Sequence, residues 1–219
     1  MMKKFVVYGA GEFADIVSDL IERVLQYTVE AYILDDEYIN AVNKYNGKEV
    51  VPASMIKEKF SPLEYDVAIG FIGKDMFNSR NRVFDLLKCY GYKIDNLIHP
   101  SAIISTSNIG DGNIILENCV IGYNVKFGNG NIMWPLSSAN HHNIVGNFNN
   151  FAPGASTSGG VIIGNHCFLG NNSTYNNKVT VSDYTFVGAG AYIAKNTESY
   201  GVYVPEKSIK INKTADEFY

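Results

Sequence analysis

From Ile103 to Ile193 one residue in every six belongs to a single register of mostly large apolar side chains. The series runs through Ile109, Ile115, Ile121, Phe127, Met133, Val145, Phe151, Ile163, Leu169, Tyr175, Val181 and Val187, and spans sixteen positions without a slip. The next residue is glycine at 110, 122, 128, 146, 164, 170 and 188, and the residue two places earlier is small or short, as in Asn113, Cys119, Val125, Asn149 and Ala191. Neither the 3.6-residue period of a helix nor the two-residue period of a strand gives this spacing. A fixed hexapeptide period predicts a parallel β-helix. Three hexapeptides close one coil of a triangular prism, so Ser101 to about Asn196 predicts about five turns. Coil corners need backbone angles that glycine and asparagine tolerate, which accounts for the asparagines between Asn108 and Asn171.

Residues 1–97 alternate differently. Phe5 to Tyr8 reads as a short buried strand, followed by Gly9-Ala10-Gly11 and then Ile16, Val17, Leu20, Ile21 and Val24 at helical spacing. Further strands are expected at Val29 to Leu34, ending in Asp35-Asp36, and at Tyr65 to Ile69, ending in Gly70-Phe71. A short helix is expected over 52–60 and a second through Val83, Phe84, Leu86 and Leu87, with Lys93 to Ile98 closing the unit. Strands alternating with helices imply a small parallel sheet of the doubly wound kind. Proline at Pro100 ends that pattern. The expected architecture is therefore an α/β, Rossmann-like domain over 1–97, a parallel β-helix over 98–198 and a cap or tail over 199–219. The segment from Thr197 is expected to cover one end of the prism and the α/β domain the other. The remaining apolar faces are expected to bury against copies of the same chain, as a cyclic trimer.

Charge and cysteines narrow the partners. The 219 residues carry a net charge of −4 with no basic cluster larger than Lys3-Lys4, which disfavours nucleic acid. The apolar run after Lys4 is too short for a signal-peptide core or a membrane span. Cys89, Cys119 and Cys167 form no CxxC pair, as expected of a reducing cytoplasm. Two of the three fall on the small inward position, where packing explains them.

Between Met133 and Ser158 the repeat degrades. Trp134, Asn140, Ala152 and Ser158 replace the glycine, while Ala139 and Thr157 replace the large inward residue. Function is sought where a consistent pattern fails, and this stretch holds Asn140-His141-His142-Asn143. Adjacent strand residues point to opposite faces, so His141 and His142 are not expected to share a metal. The other histidines are His99, at the junction, and His166, in a repeat loop. That set lacks the three-histidine zinc site of hexapeptide carbonic anhydrases, so no metal is expected. The plain alternative makes both histidines solvated residues on a coil face. In the first domain, Gly9 and Gly11 could bring a helix N-terminus to a phosphate, although the dinucleotide fingerprint lacks its third glycine. Asp35 and Asp36 end a strand where carboxylates can accept from a ribose or a base, or else form a turn and a helix cap. Arg80 and Arg82 read as solvated helix residues rather than phosphate ligands.

The Gly-Ala-x-Gly-like turn, Asp35-Asp36, Ala68-Ile69-Gly70 and Leu97-Ile98-His99-Pro100-Ser101-Ala102 lead into the hexapeptides. The most specific block runs from His141-His142-Asn143-Ile144-Val145-Gly146 to Phe151-Ala152-Pro153-Gly154-Ala155 and Ser158-Gly159-Gly160. In these features nearly the whole chain resembles the PglD/NeuD-type sugar acyltransferases, which acetylate sugars for bacterial glycans, O-antigen among them. The resemblance implies a left-handed β-helix and a homotrimer with sites between subunits. It implies direct transfer from acetyl-CoA in a ternary complex, with His141 as general base and the backbone N–H of Gly159 facing the oxyanion. An imidazole titrates near neutral pH, which suits a base. His142 stands where the family carries an acidic residue that orients the histidine, and Asn150 where relatives often carry a histidine. Coenzyme A is expected beside Gly159, Ala189 and Asn150. The nucleotide part of the sugar is expected at Gly9, Gly11, Asp35, Asp36, Gly70 and Phe71. The implied reaction is N-acetylation of a nucleotide-linked amino-deoxy sugar, a UDP- or dTDP-4-amino-4,6-dideoxy sugar. The alternatives are O-acetylation of a free sugar such as a sialic acid, and a non-catalytic nucleotide-sugar-binding scaffold.

Overall fold

The structure is a computed structural model that describes residues 3–41, 43–212 and 214–215. Strand β1 (Lys4–Tyr8) is buried on both faces beyond its first residue, as a central parallel strand must be. Helix α1 (Glu12–Asp19) buries Phe13, Ala14 and Val17 on one side and runs into a π-helical turn at Leu20–Val24. It leads to β2 (Thr28–Leu34), the hairpin of β3 (Lys44–Tyr45) and β4 (Lys48–Pro52), helix α2 (Ile56–Lys59), β5 (Asp66–Ile69) and helix α3 (Asn78–Cys89). The sheet order is β3-β4-β2-β1-β5, parallel throughout except for the β3–β4 pair. That hairpin lies outside the expected elements. Its turn is Asn46-Gly47, with φ 48 and 76, the dipeptide that a two-residue turn with positive φ favours.

The second half is a prism of two-residue parallel strands stacked in three sheets of seven, six and four. Of the sixteen expected inward residues, those from Ile115 to Ile193 are buried in one continuous core. The register slips once, at the start. Ile104, not Ile103, pairs with Ile121, and Ile98 pairs with Ile115, whereas Ile109 already bridges Phe127. The first coil is thus one residue short between Ile104 and Ile109, and Ile103 is 61% exposed. The strand Leu97–Ile98, expected to close the α/β unit, is already the first rung of the seven-stranded sheet. Only Lys93 of that segment bonds back to β5, its carbonyl accepting from the Val67 N–H.

Every sixth residue from Gly112 to Gly190 has positive φ, including Asn118, Asn124, Leu136, His142, Phe148 and Lys178. These are the corners. A left-handed conformation costs a non-glycine residue about 1 kcal/mol, which the rung-to-rung backbone hydrogen bonds of each coil offset. The asparagines divide between two jobs. Asn118, Asn124 and Asn172 take corners, while buried Asn113, Asn131 and Asn149 form an inner ladder in which each side-chain oxygen accepts the N–H one coil on.

The α/β domain does not cap the end of the prism; it packs along its side. Ile114, Leu116 and Ile132 of the seven-stranded face join the α1 side of the first domain's core, and Phe148 and Phe168 join the α3 side. A β-helix face is flat and lined with short strands, so an apolar helix pair covers more of it than of the narrow end. A column of stacked rings, Phe148, His166, Tyr184 and Tyr200, runs down one prism edge. It meets the first domain where His166 Nδ1 lies 3.1 Å from the Met76 carbonyl and the Tyr184 hydroxyl donates to Asn78 at 3.0 Å. Within 199–219, Val202–Tyr203 forms the last rung against Phe186–Val187, whereas Val204, Ile209 and Ile211 are exposed. Residues 213 and 216–219 of that expected cap lie outside the described residues.

Arg80 is not a solvated helix residue. It is 1% exposed, and its guanidinium donates to the carbonyls of Ile69 and Phe71 at 2.8 Å and of Gly130 at 3.2 Å, tying β5 to the prism. Burial pushes it down to about 9, so it stays charged at neutral pH. Replacing it leaves three buried acceptors without their charged donor. Arg80→Ala is therefore expected to lower stability by about 3 kcal/mol, measured by urea unfolding, with Arg80→Lys recovering only part of the loss because an ammonium cannot span the three carbonyls.

Candidate active site

Two concavities hold residues expected from the sequence to bind or react, and each is built from a different part of the chain. The first is a cleft of about 870 Å³ at the carboxyl ends of β1, β2 and β5, lined by Gly9, Gly11, Asp35, Gly70 and Phe71 among others. Gly9 has φ 126, and a Cβ there would sit 2.7 Å from the Gly70 carbonyl oxygen. A Cβ at Gly70 would in turn sit 2.6 Å from Val7 Cγ1. Both glycines therefore let strand ends converge. Gly11 is the extended residue preceding α1 and has open space around it.

Asp35 lines this cleft. Its carboxylate accepts from the Tyr8 hydroxyl and lies 3.5 Å from Arg82 Nη2. Burial and that hydrogen bond push the Tyr8 hydroxyl well above the ordinary tyrosine range. Arg82 and Lys74, neither expected from the sequence as ligands, supply the positive charge of the lining. The 63% exposure of the Arg82 side chain leaves it free for an anion. Asp36 does not reach the cleft. It accepts the Ser54 N–H at 3.0 Å, and bonds from Ser54 hold its carboxyl below the usual range. Asp36 is a turn cap, the alternative its position had left open.

The second concavity, about 430 Å³, is lined by His141, His142, Gly159, Gly160, Asn177 and Lys178. These are two columns of three residues, each 18 apart in the chain, so one coil repeat brings them together. A Cβ on Gly159 would overlap the Cε1–Nε2 edge of His141; the ring lies flat on that glycine because nothing projects from it. The expectation that His141 and His142 face opposite sides fails. His142 occupies a corner with φ 61, and the two rings meet, Nδ1 to Nδ1 at 3.1 Å. The alternation rule applies within a strand, and the corner ends the strand. Both side chains are exposed, and the Tyr123 ring stands edge-on to His142 at 5.7 Å. The Gly159 N–H donates to Asn177 Oδ1 at 3.1 Å, so the amide expected to face an oxyanion is already engaged. Asn177 and Lys178 escaped the sequence reading, although their 18-residue offset from Gly159 and Gly160 was visible in it.

The remaining expected residues lie apart from this pocket. Asn150 is buried on the seven-stranded face, where its Oδ1 accepts from Trp134 Nε1 at 3.0 Å. Ala189 is exposed beside Gly190, on a different prism edge from Gly160. The interface with the α/β domain runs along the edge of Gly130, Phe148, His166 and Tyr184 and the face beside it. The edge of His142, Gly160 and Lys178 lies across the triangle from the face that carries the α/β domain, and the cleft and the histidine pocket share no lining residue. Cys119 and Cys167 are buried in the prism core, and burial pushes their thiols up, Cys167 to about 12. Among the described residues no cluster of three or more His, Cys, Asp or Glu could hold a metal, and no helix is long and apolar enough to cross a membrane.

The architecture defines an α/β, Rossmann-like domain joined to a left-handed parallel β-helix. Comparison with known proteins carries the likeness to PglD: residues 4–86 match the PglD N-terminal domain family. The acetyltransferase domain of PglB from Neisseria gonorrhoeae is 24% identical, with a TM-score of 0.79 over 93% of this chain and 97% of that one. PerB from Caulobacter crescentus is 21% identical, with a TM-score of 0.81 over 94% and 95%. WeeI from Acinetobacter baumannii is 21% identical, with a TM-score of 0.81 over 94% and 97%. At these identities the likeness establishes the fold. No curated protein sequence matches the chain.

Because φ at Gly159 is not in the left-handed region, alanine fits its backbone and only the His141 ring must move. Gly159→Ala is expected to shift the His141 ring resonances while changing stability by no more than about 0.5 kcal/mol, read by NMR and urea unfolding.

Proposed function

We propose that the chain is an acetyl-CoA-dependent N-acetyltransferase acting on a nucleotide-linked amino-deoxy sugar, a 4-amino-4,6-dideoxy sugar carried on UDP or dTDP. The observation that carries this reading is His141, held over Gly159 at a solvent-open prism edge. The fold supports it, because PerB was crystallised with CoA and GDP-perosamine, and the PglB domain with acetyl coenzyme A. GDP therefore joins UDP and dTDP as a carrier to test.

In this reading the cleft at Gly9, Asp35 and Phe71 holds the nucleotide. Arg82 and Lys74 face its phosphates, and Asp35 can exchange its Tyr8 and Arg82 contacts for a ribose or base donor. His141 Nε2 takes a proton from the sugar amine as the amine nitrogen attacks the thioester carbonyl carbon. The C–S bond then breaks and the proton passes to the departing thiolate, giving an amide and free CoA. No acyl-enzyme is needed when base and both substrates meet in one complex. An oxyanion donor requires that the Gly159 N–H leave Asn177 for the developing charge.

The separation of cleft and histidine pocket within one chain supports a site completed by a second copy. In a homotrimer the histidine edge of one chain faces the nucleotide domain of its neighbour. Gly159 of one subunit and Ala189 of the next would then flank the coenzyme, which a single chain cannot arrange. The substrates and the free cysteines agree with a cytoplasmic setting.

Thiol release from acetyl-CoA with a panel of UDP-, dTDP- and GDP-linked amino sugars tests the reading; silence across the panel defeats it. His141→Ala is expected to lower kcat by about 10²–10⁴-fold while calorimetry shows nucleotide binding unchanged. Turnover of a free sialic acid instead would select O-acetylation, and nucleotide binding without turnover would select the scaffold. Light scattering should give the mass of three chains, and a monomer would remove the shared site.

A further inference from the structure

We propose that His142 is a positioning residue that acts as a neutral acceptor: its Nδ1 takes the Nδ1–H of His141 and so leaves the basic lone pair on His141 Nε2. This rests on the reading of His141 as the base. The two Nδ1 atoms are 3.1 Å apart, a distance at which one must donate and the other accept. A neutral imidazole carries a proton on only one nitrogen, so two arrangements are open. If His141 donates, its Nε2 is unprotonated on the edge that lies over Gly159. If His142 donates, His141 carries its proton on Nε2 and cannot act as a base.

The surroundings favour the first arrangement being the functional one. The pocket is lined by Gly159, Gly160, Asn177 and Lys178 besides the two rings, and Tyr123 packs on His142. No carboxylate is among them. Lys178, the charged group of the lining, has only donors to offer, and Asn177 Oδ1 meets the Gly159 N–H, whereas His141 Nδ1 meets His142. His142 is thus the acceptor that the geometry supplies to His141 Nδ1, and its corner conformation with φ 61 swings the ring back to the same side. A neutral acceptor fixes the tautomer without the charge that a carboxylate would lend to the imidazolium. Such a base suits an amine, which already carries a nucleophilic lone pair, better than a hydroxyl.

Long-range 1H–15N NMR of the ring nitrogens, with both rings neutral, tests the tautomer directly. Steady-state kinetics run beside it on wild type, His142→Gly and His142→Asp. Glycine keeps the left-handed corner without an acceptor, and aspartate tolerates the corner while restoring one. The expected result is His141 protonated on Nδ1 in the wild type, a bias lost in His142→Gly and regained in His142→Asp. In parallel, kcat should fall at least ~10-fold in His142→Gly, a share of what a general base contributes, with KM for acetyl-CoA unmoved, and recover in His142→Asp. A wild-type His141 protonated on Nε2, or a kcat unaffected by His142→Gly, overturns the proposal. A wild type silent toward every acceptor refutes the acetyltransferase reading instead, and the tautomer still decides the histidine pair.

Discussion

The prism closes because one residue in six accepts a left-handed backbone, and the histidine pocket in this half of the chain follows from that closure. Each corner turns the chain so that the next hexapeptide starts a new face, and the third corner sets it down one rung above its start. Backbone N–H groups then meet carbonyls of the next coil, which satisfies the parallel strands without a crossover helix. The same step of 18 residues stacks His141 on Gly159 on Asn177, and His142 on Gly160 on Lys178.

The α/β domain obeys a different constraint. Its parallel strands must be covered on both faces; α1 covers one and α2 with α3 the other, and the seven-stranded wall of the prism packs against both sides, with Phe13 of α1 against Trp134 and Phe84 of α3 against Phe148. Arg80 fixes the join by taking carbonyls from both domains. This side-on docking leaves the histidine edge across the prism from the face that carries the domain. That separation is the observation that supports the proposal of a site shared between copies.

Much of this was legible in order of periodicity. Inward positions from Ile115 onward, the α/β alternation and the glycines at the ends of β1 and β5 follow from spacing and composition alone. The one-residue slip at Ile104 was hidden, because Ile103 and Ile104 are equally apolar and only pairing with Ile121 tells them apart. The hairpin was missed although Asn46-Gly47 announced it. Asp36 and Arg80 were ambiguous in sequence: a carboxylate beside a strand end and an arginine on a helix look the same whether they face a cleft, a backbone amide or solvent.

By itself the sequence determined the coil, its core from Ile115 onward and the chemistry present at the place where its repeat weakens, since a period of six lines up those side chains on the inside of the prism. The tertiary structure alone decided which groups meet. It brought two adjacent imidazoles to one side of a corner, tied up the Gly159 amide with Asn177, turned Asp36 away from the cleft and set the domain along a face. Each of these depends on backbone angles at single corners and on docking between surfaces far apart in the chain, and neither is encoded in local spacing.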